Sequence, residues 1–122
     1  MSAAVLVDTC VWVDHLSGRD RSIAARLLQT PVHTHEFVLG ELMLGVVPRG
    51  HPSGAQLAAL PRVGTAAHDE VVQLVRSRQL EGSGIGWVDA HLLASALVFG
   101  AEMWTSDKVL RKAAARVGVA LA

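Results

Sequence analysis

Four acidic residues fall at positions where a carboxylate needs a reason. Asp8 ends the apolar run Ala3-Ala4-Val5-Leu6-Val7, and Asp107 comes just after Glu102-Met103-Trp104-Thr105. Both runs read as strands, so both carboxylates are expected at strand carboxyl ends, where open parallel sheets gather their functional groups. Glu41 and Asp89 lie inside helical patterns instead. Glu41 lines up with Phe37, Val38 and Leu44, and Asp89 with Leu92, Leu93 and Ala96, which places each acid on an apolar helix face. Such a carboxylate is costly unless something neutralises it. No Lys or Arg lies within one helical turn of either. A divalent cation compensates several carboxylates at once, and Asp and Glu offer the hard oxygen ligands that Mg²⁺ and Mn²⁺ take.

Each acid also has a plain structural reading. Asp8 suits the cap of a following helix, Asp89 a first-turn acid favoured by the helix dipole, and Asp107 the N-cap of a helix over 108–116. Glu41 is the hardest to read this way, because it sits in mid-helix. The joint occurrence of all four, two at strand ends and two on inward helix faces, favours a shared site.

The elements that must position them follow from apolar periodicity and breakers. Strands are expected at 3–7, 31–33, weakly at 63–64, at 102–105 and at 119–121. Helices are expected over 11–16, 21–29, 34–46, 53–60, 69–80, 87–99 and 107–116. Thr34 is the expected N-cap of the third helix, Ile23, Leu27 and Leu28 form the apolar face of the second, and Gly100 stops the sixth. The stretches 47–54 and 81–86 are Gly-rich connections. Short apolar strands alternating with helices predict one α/β domain over 1–122, with a central parallel sheet in a three-layer α/β/α sandwich.

Composition narrows the classes. The chain has 122 residues, about half of them hydrophobic, with 11 Lys plus Arg against 11 Asp plus Glu. This is enough for one core. Zero net charge gives no general basic field for nucleic acid, so any such binding must come from local arrangement. The lone Cys10 forms no internal disulfide, no apolar run approaches a membrane span, and Met1-Ser2-Ala3-Ala4 does not read as a leader. A cytoplasmic protein is expected.

Four segments taken in order resemble the PIN-domain ribonucleases, and within them the VapC-type toxins of toxin–antitoxin pairs. Val5-Leu6-Val7-Asp8-Thr9 with Val11-Trp12-Val13 looks like the family opening, and Gly40-Glu41-Leu42 like its second acidic motif. Gly86-Trp87-Val88-Asp89-Ala90-His91-Leu92-Leu93-Ala94-Ser95-Ala96 is the most specific match, and Trp104-Thr105-Ser106-Asp107-Lys108-Val109-Leu110 looks like the fourth motif. Residues 47–84 contribute nothing to the resemblance. It implies a strand order of 3-2-1-4-5, a Mg²⁺- or Mn²⁺-dependent endoribonuclease, an RNA substrate, a VapB-like antitoxin and a homodimer. Asp8 and Asp89 would hold the metal, with Glu41 and Asp107 binding it directly, through water, or positioning the attacking water.

Lys108, Arg111, Lys112 and Arg116 share one helix side, as RNA-backbone contacts or simply as a solvated face. Thr9, Thr105 and Ser106 could place hydroxyls beside the site, although Thr9 and Thr105 read more simply as turn and strand-end residues. Asp14 reads as exposed, no histidine is assigned to the site, and the three Trp read as core or interface. A haloacid-dehalogenase phosphatase needs a second Asp where Cys10 stands. A phosphoacceptor receiver domain leaves Glu41 without a role. An inactive PIN-like interaction module is the remaining alternative.

Overall fold

The computed structural model describes residues 3–122. Strand β1 (Val5–Val7) is buried along its whole length and forms the centre of a parallel sheet. Its β-branched residues and Leu6 suit a strand covered on both faces. Strand β2 (Val32–His33) pairs on one side, with Val5 opposite Val32, and β3 (Glu102–Trp104) on the other, with Val7 opposite Trp104. Single bridges extend both edges: Thr34 pairs with Arg62 beyond β2, and Met103 with Leu121 beyond β3. Counted in chain order, these five segments run 3-2-1-4-5, as expected. The outer two are single bridges rather than strands.

Helices cover the sheet: α1 (Thr9–Leu16), α2 (Ser22–Leu28), α3 (Glu36–Leu44), α4 (Pro52–Ala58), α5 (His68–Ser77), α6 (Trp87–Phe99) and α7 (Lys108–Val117). Helix α6 is the most deeply packed, with every residue from Ala90 to Ala96 buried. It ends at Gly100, whose φ of 72° is left-handed and suits a residue without a Cβ. The core joins β1, β3 and the inner faces of α1, α3, α6 and α7 through Leu6, Val11, Val38, Leu92, Leu93, Met103 and Leu110.

Several local expectations need correction. The N-cap of α3 is His35, whose Nδ1 accepts from the Phe37 amide. Thr34 instead belongs to the sheet-edge bridge, because its amide donates to Pro61 O and its carbonyl accepts from Val63 N. Leu28, expected on the apolar face of α2, is 90% exposed, since the helix ends there and Ile23 makes the buried contact. On α3 the buried residues are Val38 and Leu42, while Leu44 is 86% exposed and Glu41 is exposed beside them. The inward face is thus rotated away from the one that Phe37, Val38 and Leu44 define, because a short helix packs through a narrow stripe. Asp14 is half-buried and pairs with Arg19 at 3.5 Å. The first two residues of the terminal stretch read for a leader lie outside the described residues.

Leu93→Ala should remove a fully buried side chain and lower stability by about 2–5 kcal/mol. Leu28→Ala should change it by no more than about 0.5 kcal/mol. Urea unfolding followed by circular dichroism separates the two, and comparable losses would contradict the packing described.

Candidate active site

The carboxyl edge of the sheet carries the two strand-end acids. Asp8 is buried, and its amide donates to Trp104 O at 2.9 Å, which ties it to the end of β3. Its Oδ1 accepts from the Thr9 amide at 2.8 Å, so Asp8 caps α1. Its Oδ2 accepts from the Thr105 hydroxyl at 2.8 Å and from Cys10 Sγ at 3.3 Å. Thr105 Oγ1 in turn accepts from the Asp107 amide at 3.1 Å. One hydroxyl therefore fixes Asp8 and the turn that carries Asp107. Asp107 caps α7 through Oδ1, which accepts from Val109 N and Leu110 N, leaving Oδ2 uncommitted among the described residues.

The helical acids approach from the other side. Glu41 Oε1 accepts from the Thr9 hydroxyl at 2.8 Å, which links α3 to the start of α1 immediately after Asp8. Asp89 lies in the first turn of α6, and its Oδ2 accepts from Gly86 N at 3.2 Å. Burial holds the Asp89 carboxyl above the ordinary carboxylate range. The Gly86 bond opposes that shift, and the charges of Asp8, Asp107 and Glu41 add to it. The field at Asp89 thus registers all four acids in one neighbourhood.

Among the described residues none of the four pairs with a basic side chain. Among the described residues the one ion pair is Arg19–Asp14. Burial keeps His35 and His91 below their usual value, so neither brings a positive charge at neutral pH. His91 instead packs between Phe37 and Trp87. Among the described residues no three His, Cys, Asp or Glu side chains converge to coordinating distance. The donor set is hard oxygen throughout, with oxygens of Asp89 and Asp107 uncommitted, and in its chemistry it fits a hard divalent cation.

Sequence reasoning underrated Thr9 and Thr105, whose hydroxyls hold Glu41 and Asp8. A short polar side chain next to an acid at a strand end was the available signal. Cys10 also touches Asp8 and receives a contact from the Ser106 hydroxyl at 3.3 Å. Lys108, Arg111 and Lys112 are exposed on α7, and Arg111 reaches back to donate to Thr105 O at 3.2 Å. No helix among the described residues is long and apolar enough to cross a membrane.

The PIN domain family profile matches residues 5–116. The chain is 44% identical over 119 residues to Ribonuclease VapC32 of Mycobacterium tuberculosis, covering 97% of this chain and 96% of that protein. By structure it resembles FitAcB from Neisseria gonorrhoeae, with a TM-score of 0.72 at 18% identity over 96% of this chain and 95% of the other. It also resembles PAE2754 from Pyrobaculum aerophilum, with a TM-score of 0.57 at 19% identity over 99% and 91%. At those identities the two structures speak to the fold.

The raised Asp89 carboxyl makes a signed prediction for metal-free protein. Its folded value lies above the unfolded one, so its contribution is fully present below the unfolded value and is lost as pH rises through the folded value. Asp89→Asn keeps an acceptor for Gly86 and removes the charge. In EDTA the variant should melt higher than the parent at neutral pH, and the gap should close toward about pH 4. A lower melting temperature for the variant at neutral pH would contradict the repulsion.

Proposed function

The chain belongs to the PIN-domain family, and we propose that within it the whole of 1–122 acts as a VapC-type toxin, an endoribonuclease dependent on Mg²⁺, or on Mn²⁺ in its place. The observation that carries this reading is the gathering of Asp8, Glu41 and Asp107 around the hydroxyls of Thr9 and Thr105, with Asp89 near enough to feel their charges and no ion pair to any of the four among the described residues. The 44% identity to a ribonuclease across nearly all of both chains supports the same activity. Membership of the family sets aside the phosphatase and receiver readings. An inactive PIN-like module is the surviving alternative.

In this reading Asp8 and Asp89 hold the cation, and Glu41 and Asp107 bind it directly or through water. When bound, the cation supplies charge neutralisation on the phosphate and acidifies a water. The protein's own part is placement. Thr105 fixes the rotamer of Asp8, Thr9 that of Glu41, and Gly86 that of Asp89. Lys108, Arg111 and Lys112 meet phosphates of the strand on the α7 side. An antitoxin segment that brings an arginine to the same carboxylates would compete with the cation, since a planar guanidinium pairs with them through two bonds.

Purified protein should cleave total cellular RNA with Mg²⁺ or Mn²⁺ and stop on addition of EDTA. Mg²⁺ should also raise the melting temperature of the parent by mass action and leave an Asp8→Asn/Asp89→Asn double variant unmoved. Asp8→Asn keeps the shape and loses the charge. Removing a direct ligand should cost at least the roughly 10- to 100-fold typical of outer-shell partners. Intact RNA in the presence of metal leaves the inactive module as the account, and full activity in Asp8→Asn would overturn the carboxylate site.

Assembly is a separate expectation. Trp87, Leu97, Val98 and Phe99 of α6 are each at least 40% exposed, a large apolar surface for so small a chain. A homodimer is expected by light scattering at micromolar concentration, and a monomer would refute the dimer without touching the catalytic reading.

A further inference from the structure

A cleft of about 260 Å³ opens beside the carboxylates, between α1, the start of α2 and the turn from β3 into α7. Asp14, Asp20, Arg26, Trp104, Thr105 and Arg111 are among the residues that line it. It shares Thr105 with the site already described, because that residue's hydroxyl holds Asp8 while its carbonyl holds Arg111. The guanidinium of Arg26 lies over the ring of buried Trp104, 3.9 Å from its centroid. Neither Arg26 nor Arg111 pairs with a carboxylate among the described residues. Asp20 accepts from the Ser22 amide and hydroxyl through Oδ1, which leaves Oδ2 uncommitted among the described residues.

These features match a particular ligand. A guanidinium backed by an indole is a flat, fixed cationic plate with one open face, the surface on which an unstacked base lies in single-stranded RNA recognition. Arg111, anchored at the site's edge, offers charge to a neighbouring phosphate. Asp14 and Asp20 repel an acidic peptide but accept from ring and exocyclic N–H groups. The volume falls below the roughly 300–1,000 Å³ of pockets that take a drug-sized ligand, and suits one base.

Resting on the ribonuclease reading, we propose that this cleft receives one nucleobase of the RNA strand next to the scissile phosphate, stacked on Arg26 and read by Asp20. Guanine fits best, since its N1–H and N2–H₂ present adjacent donors to a carboxylate. Uracil, with one ring donor, fits worst. The cleft is then where a chain of zero net charge acquires preference among RNA sequences.

The test uses mononucleotides and isotope-labelled full-length protein, so it needs no cleavage. Guanosine monophosphate should shift the NMR signals of the Arg26 Nε–H and the Trp104 indole N–H, more strongly than uridine monophosphate at equal concentration. Arg26→Ala, at an exposed position, should weaken that binding about 5- to 150-fold, the range for loss of one stacked base. Asp20→Asn, which retains an acceptor for Ser22, should erase the preference for guanine over uracil. Shifts at these two groups in protein that cuts no RNA would uphold the nucleotide site and sink the ribonuclease reading. RNA cleavage with no shift at either group would do the reverse. Shifts produced by an oligoglutamate peptide and by no nucleotide would overturn the proposal in favour of a peptide cleft.

Discussion

Four negative charges can share one edge of a small domain only if something opposes their repulsion, and here three helix N-termini do so. Asp8 caps α1, Asp107 caps α7, and Asp89 occupies the first turn of α6 with its carboxylate on the Gly86 amide. Each acid therefore sits where backbone N–H groups lack intrahelical partners and the macrodipole is positive. The parallel sheet brings these helix starts to a common edge, because each α1-type or α7-type helix begins where its strand ends. Capping and the gathering of charge are thus one arrangement: three of the four acids are residues that begin helices.

Glu41 is held differently. It has no helix end to lean on and depends on the Thr9 hydroxyl, itself the first residue of α1. Like Asp107, it is exposed to solvent. Asp8 is at the other extreme, buried and accepting three hydrogen bonds, one of them from a side chain 97 residues away. The site therefore runs from a buried floor at the sheet to an exposed wall on α3.

Much of this was legible in the sequence because the determining signals are local. The apolar run before Asp8, the uninterrupted 87–99 helix and its glycine stop depend on neighbours a few residues away, and α6 matches its expected bounds at both ends. Where register and rotation depend on distant partners, local patterning misled. Thr34 looks like a cap until the segment at Arg62 pairs with it, and Leu44 looks buried until α3 is seen to pack through Val38 and Leu42. The Arg26–Trp104 stack joins residues 78 positions apart, and nothing in the local pattern of either announces it. The charges were visible from the outset, but the hydroxyls that hold them were not, since a Thr beside an acid looks the same whether or not its hydroxyl is engaged.

The outermost members of the sheet have a consequence for how this chain meets others. Each edge closes on one isolated bridge, at Arg62 and at Leu121, rather than on a strand with a free row of amides and carbonyls. A foreign strand would find almost no ladder to extend, which removes the usual route to edge-to-edge polymerisation in a chain this apolar. Recognition is left to helical faces and to the loops at the carboxyl edge. A binding partner must then bring a helix or an irregular segment of its own, and the sheet stays closed to company.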